Sequence, residues 1–276
     1  MDFSAVSTIA SLEAKTNIRN KWTLILAVAF GVLSLAISYF GLVTAGAVGF
    51  QGFMRTAASL LNLVLYLIPI VSLSMATLSL TGEKGASELL FSQPVRRIEI
   101  LLGKLLGLFL SIWTATLFGF GLAGIIIAIQ AGTSGLTRYL GFVALAQLLA
   151  LVFLSLGALV ATLAETRAKA SGMSLFLWFF FVLFYDLLVM GISFVLREKM
   201  ANQFIFVSLF GNPVDMVRVS GLMLMGDVSI FGAAGAALMK FLGGQMISNL
   251  LLIAALLLWA IVPFLVAGRW LRRRDL

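Results

Sequence analysis

The chain offers few groups that could do chemistry. Its 276 residues include no histidine and no cysteine, which excludes Ser–His–Asp and Cys–His catalysis, HExxH zinc sites, disulfides and thiolate or haem ligation. No Gly-x4-Gly-Lys-Ser/Thr run is present, so the chain has no phosphate-cradling loop of its own. One carboxylate stands out. Asp186 is the sole ionisable residue well inside a long apolar stretch, ~21 Å along it from Gly172 at ~1.5 Å per residue. An aspartate at the centre of a membrane helix costs ~2.5–3.5 kcal/mol, so it should face protein or a wet cavity. As a functional group it would line a conduit, or form a gate latch with Arg218 of the run Asn212-Pro213-Val214-Asp215-Met216-Val217-Arg218. The plain alternative is a structural hydrogen bond to a neighbouring helix. No catalytic, cofactor-binding or metal-ligating set is expected.

The elements that position these groups follow from composition. Hydrophobic residues make up 62% of the chain, charged residues only 11%, and the mean hydropathy is +1.12. A soluble domain needs about 25% charged residues to meet water, so this is an integral membrane protein. Six stretches are apolar over the ~20 residues that cross ~30 Å of hydrocarbon: 23–43, 57–81, 105–129, 139–163, 172–195 and 248–268. They are continuous rather than alternating with period two, which argues against barrel strands. The expected fold is all-α with six transmembrane helices, the second kinked at Pro69.

Basic residues set the orientation. With the N-terminus in the cytoplasm, Lys15, Arg19, Lys21, Lys84, Arg96, Arg97, Lys104, Arg167, Lys169, Arg269, Arg272, Arg273 and Arg274 all fall inside, 13 of the 19. The short outer loops hold only Arg55 and Arg138. Both termini are therefore expected in the cytoplasm. Trp22 and Trp270 lie at the inner ends of the first and last spans, where indoles prefer to sit. The net charge of +8 is thus spent on topology, and no nucleic-acid partner is expected. The first span lacks a short apolar core with a cleavage site, so no cleavable leader is expected.

Function should be read in the non-spanning segments. Residues 5–21 suit an interfacial helix, with Val6, Ile9, Ala10, Leu12 and Ile18 on one broad face and basic side chains near anionic lipid. The loop 82–104 centres on Glu88-Leu89-Leu90-Phe91, a short amphipathic helix that Pro94 should stop, with Arg96 and Arg97 marking the membrane surface. Such a helix is either a handle for a soluble partner or a plain surface hairpin. The outer segment 197–247 is apolar but broken by Gly211-Asn212-Pro213 and by Gly221, Gly226, Gly232 and Gly235, which suits re-entrant or interfacial helices. Seven of the eleven methionines lie between 190 and 246. Thioethers select Cu(I), yet Met223 and Met225 fall on different helix faces, and methionine commonly fills apolar gaps. Gly103-x3-Gly107 and Gly157-x3-Ala161 are small-residue pairs suited to close helix contact, and each points, though chance pairs are frequent among 26 glycines, to a dimer interface.

The order Gly82-Glu83, Gly85-x3-Leu89-Leu90, Ser92-x-Pro94, Arg96-Arg97 and Ile100-Leu101-Leu102-Gly103-Lys104 resembles that of type-2 ABC exporter permeases. The helix ending Arg19-Asn20-Lys21-Trp22 is similar to the family's connecting helix. The resemblance covers the whole chain as a single permease domain, 1–276. Within the family it is greatest to permeases of the copper-enzyme maturation system for nitrous oxide reductase, through the run Trp178 to Leu187 and the motif Asn212 to Arg218. Lys84 departs from the family, where another acid is often found.

The resemblance implies a non-catalytic homodimer in a bacterial or archaeal inner membrane. Its cytoplasmic coupling helix, between spans 2 and 3, would dock into separate ABC ATPase subunits through Glu83, Glu88, Leu89, Leu90, Pro94, Arg96 and Arg97. ATP and Mg would be bound on the ATPase, with no cofactor on this chain, and a periplasmic accessory protein would meet the outer face. The cargo or signal would be a sulfur or copper species. General type-2 exporters of lipids, ions or drugs share this architecture. A secondary transporter would show paired broken helices and several midplane charges, and an intramembrane enzyme would need more than one buried carboxylate.

Overall fold

The computed structural model describes residues 3–19, 21–43, 53–81, 96–225 and 244–273. Helices run α1 (Phe3–Ile18), α2 (Lys21–Val43), α3 (Phe53–Leu80), α4 (Arg97–Ala131), α5 (Leu136–Leu163), α6 (Arg167–Phe179), a π segment (Phe180–Phe184), α7 (Tyr185–Val195), α8 (Glu198–Leu209), α9 (Pro213–Met225) and α10 (Gln245–Arg273). No strand occurs among the described residues. Among the described residues, five stretches are long and apolar enough to cross a membrane: Ser59–Leu80, Arg97–Gln130, Leu136–Leu163, Arg167–Val195 and Met246–Leu271. The first expected span, 23–43, falls within α2, which is 23 residues long. The protein is an all-α, multi-pass membrane protein. The chain remains helical through Pro69 in α3 and Pro263 in α10.

The spans are not equivalent. In α5, 78% of the most apolar window is buried, against 11% in the span built from α6, the π segment and α7. Helix α5 is therefore the central post, and the fifth span stands at the edge with one side uncovered. Close approach to the post depends on small residues. A Cβ at Gly157 would lie 2.8 Å from Ala76 Cβ and 3.0 Å from the Leu73 carbonyl oxygen, so only glycine lets α3 and α5 touch there. Phe30 and Phe120 pack with ring centroids 5.2 Å apart, joining α2 to α4. The Tyr139 hydroxyl donates to the Phe120 carbonyl at 3.0 Å, joining α4 to α5.

The N-terminal helix differs from its expected orientation. Val6, Ala10 and Ala14 are buried, whereas Leu12 and Ile18 are exposed. The reason is the partner, since α1 lies along α4 and sets the face of Val6, Ala10 and Ala14 against it. A Cβ at Gly103 would come within 2.8 Å of Ile9 Cβ, and one at Gly107 within 2.6 Å of the Ala10 carbonyl oxygen. The Gly103-x3-Gly107 pair is thus a seat for α1 within the same chain.

Candidate functional site

The segment expected on the outer side folds as its Gly-Asn-Pro-x-Asp run requires. Helix α8 ends at Leu209, and α9 starts at Pro213, where the fixed ring suits the first helical position. Asn212 is completely buried and serves both sides of the corner. Its Oδ1 accepts from the Val214 N–H at 3.0 Å, the N-cap bond. Its Nδ2 donates to Asp215 Oδ2 at 2.8 Å and to the Phe181 carbonyl at 2.9 Å. Phe181 belongs to the π segment, whose wider turn disturbs the regular helical ladder. The Asn212 amide therefore binds the fifth span at its irregular point.

Four more bonds close this corner. The Tyr185 hydroxyl donates to the Ser208 carbonyl at 2.6 Å, and Trp259 Nε1 of α10 donates to the Phe210 carbonyl at 2.9 Å. Arg218, one turn into α9, places Nη1 2.9 Å from Asp186 Oδ2 and 2.5 Å from Asp215 Oδ1. One guanidinium nitrogen thus bridges a carboxylate of the fifth span to one of the corner. The Tyr185 hydroxyl lies directly over Gly211, so a Cβ there would displace it from the corner.

Two carboxylates share one arginine. Burial pushes the Asp215 carboxyl up to about 7 from its ordinary 3.8, and Asp186 adds to this, while Arg218 and Asn212 pull the other way. Burial opposes the charge of Arg218, but the two carboxylates outweigh it and hold the guanidinium above its ordinary value. The arrangement suits a charged latch between the fifth span and the outer corner. Asp186, Asn212, Asp215 and Arg218 come together here, with Pro213 as the helix start.

The residues expected on the inner side are placed differently. Glu83, Glu88, Leu89, Leu90 and Pro94 lie outside the described residues, as do the side chains of Lys21 and Trp22. Arg19 is exposed at the end of α1. The Arg96 N–H donates to Glu99 Oε2 at 3.2 Å, fastening the start of α4. Arg97 Nη1 donates to the Leu271 carbonyl at 2.9 Å, where a cation suits the C-terminal end of α10.

Sequence reasoning missed a cluster around Glu13. Ser79 Oγ donates to Glu13 Oε1 at 2.7 Å, and Lys104 Nζ lies 3.8 Å from Glu13 Oε2 while donating to the Ser79 carbonyl at 2.9 Å. Glu13 carried a signal, as the sole acid within residues 5–21, which otherwise hold only basic charges. Its partners are distant in sequence and could not be named. Among the described residues no group of three His, Cys, Asp or Glu side chains could hold a metal. Met216 and Met223 are fully buried in the apolar core, which is the packing role.

Comparison with known proteins decides the family. Residues 7–276 match the family described as ABC-2 family transporter protein. The chain belongs to the ABC-2 transporter family. This ABC-2 permease is similar to the probable ABC transporter permease protein NosY of Pseudomonas aeruginosa, at 35% identity over 98% of this chain and 99% of the relative. It is also similar to the probable ABC transporter permease protein NosY of Stutzerimonas stutzeri, at 31% identity over 98% of each chain. Membership in the ABC-2 family implies ATPase partner subunits.

Proposed function

We propose that this ABC-2 permease is a single NosY-like domain acting as a homodimer in a bacterial or archaeal inner membrane, driven by separate ATPase subunits that bind ATP and Mg. Its role is in maturing a periplasmic copper enzyme, nitrous oxide reductase, by exporting a sulfur or copper species or by mechanical signalling to a periplasmic accessory protein. The observation that carries this reading is the near full-length similarity to two NosY permeases. The chain itself performs no bond chemistry. Motion would enter through the loop 82–104, with Glu88, Leu89 and Leu90 as the docking surface and both chain termini on the same cytoplasmic side. It would reach the outer corner, where Arg218 holds Asp186 and Asp215.

The homodimer is supported by the uncovered fifth span. Phe176, Leu183, Leu187, Met190 and Phe194 are exposed along it, and Asp186 among them is half-buried, with its side chain 40% accessible. A carboxylate at membrane depth does not face lipid. A second copy across an axis, enclosing a wet path, covers it.

Affinity purification of the chain from membranes tests the reading. An ATPase carrying a P-loop should co-purify, and replacing Glu88-Leu89-Leu90 with three glycines should abolish its recovery without loss of the permease. Transport by the chain alone in liposomes, without ATP, would contradict the proposal.

A further inference from the structure

The cluster around Glu13 lies where the chain leaves the second span and where it has re-entered the third. Ser79 is the penultimate residue of α3, and Lys104 lies two turns into α4. Glu13 and Lys104 are largely enclosed, with side chains 17% and 16% accessible. The carboxylate uses one oxygen for the Ser79 hydroxyl and the other for the ammonium. The ammonium in turn binds the Ser79 carbonyl. Each of the three helices thus contributes one side chain to one closed polar contact.

The neighbouring contacts are equally tight. The glycine seat at 103 and 107 admits α1 to backbone distance. Ser111 Oγ points at the Ala14 carbonyl at 3.4 Å, and Asn17 Nδ2 donates to Glu13 Oε1 at 3.0 Å, steadying the carboxylate. Packing by glycine and alanine holds two helices close but resists sliding poorly, since small side chains make few interlocking contacts. A partly buried ion pair with fixed hydrogen bonds supplies the directional restraint that packing lacks.

We propose that Glu13 and Lys104 are positioning residues for energy transmission: with Ser79 they fasten α1 to the inner ends of α3 and α4, so that these three move as one body when the ATPase moves the permease. The inference rests on the ATP-driven reading above. It assigns a role to α1 beyond lipid contact, since a displacement of α4 at its inner end carries α1 with it rather than sliding past.

The test exploits the absence of cysteine. Spin labels on Phe3→Cys in α1 and Val207→Cys in α8, both exposed positions, report the distance from the inner helix to the outer segment. They are read in the complex of full-length chain and co-purifying ATPase, with excess unlabelled permease to isolate one pair. The parent complex should show a distance change between the nucleotide-free and the Mg·ATP–vanadate states. In Glu13→Gln/Lys104→Met, ATPase binding and hydrolysis should persist while the shifted fraction falls about fivefold, the low end of usual coupling between sites. The exchanged pair Glu13→Lys/Lys104→Glu should restore it.

A neutralised variant that shifts as fully as the parent would overturn the inference. So would an exchanged pair that binds and hydrolyses normally yet shifts no better than the neutralised variant. A parent complex with no ATPase, or with no nucleotide response, would defeat the ATP-driven reading itself, and the inference with it. The two failures are therefore distinguishable.

Discussion

The inner base around α1 and the outer corner around α9 both fasten a short helix to the bundle, by different means. At the inner base, shape dominates: glycines at 103 and 107 let α1 touch the α4 backbone, and a single ion pair sets its position. At the outer corner, polar groups dominate. Asn212, Tyr185 and Trp259 each donate to a main-chain carbonyl at a bend or irregular turn, and Arg218 bridges two acids. A contact made by shape holds one geometry or none. A contact made by hydrogen bonds and charge can release, rehydrate and re-form, which suits the outer corner to a gate and the inner base to a rigid mount.

Removing Arg218 should have the largest effect. In Arg218→Met two carboxylates lose their shared cation, and breaking such a pair costs ~3–5 kcal/mol when fully buried. Side chains that are 28% and 40% accessible reduce this through screening, so ~2–3 kcal/mol is expected. The variant should show a lower melting temperature in detergent and lose ATP-dependent function. An unchanged melting temperature would mean that the latch does not hold the corner.

Next is the inner seat. Gly107→Val puts a branched side chain where a Cβ already lies 2.6 Å from backbone oxygen, and overpacking of this kind costs ~1–3 kcal/mol. Protease sensitivity of α1 should rise while the outer corner keeps its protection. Equal loosening at both ends would erase the distinction between mount and gate.

The smallest effect concerns pH. The folded-state pKa of Asp215 is raised from 3.8 to about 7, so between these values the folded chain binds more protons than the unfolded chain. Stability should then fall as pH rises through that window. Asp215→Asn should flatten this slope in melting curves. A slope that survives Asp215→Asn would place its origin elsewhere.

Much of the fold was legible in the sequence, since continuous apolar runs of spanning length leave little choice in lipid. The pairing of Asp186 with Arg218 was legible too, because charges near the membrane are scarce and must find one another. The helix break at Gly211-Asn212-Pro213 was legible as well, whereas the N-cap bond of Asn212 shows only in the fold. The π segment left no such mark, for Phe180–Phe184 contains neither proline nor glycine and its irregularity shows only beside Asn212. The glycine pair at 103 and 107 announced a close contact without saying with what. The partner was α1, almost a hundred residues earlier, and the distance along the chain hid both that seat and the Glu13–Lys104 pair.

The central claim is that this ABC-2 permease takes its motion from the cytoplasmic side through residues 82–104. A single cysteine at Glu88 in the cysteine-free chain, probed in sealed vesicles of known orientation with a membrane-impermeant thiol reagent, tests it most directly. The account predicts labelling in inside-out vesicles, with protection when the ATPase is bound. Labelling only in right-side-out vesicles would contradict it.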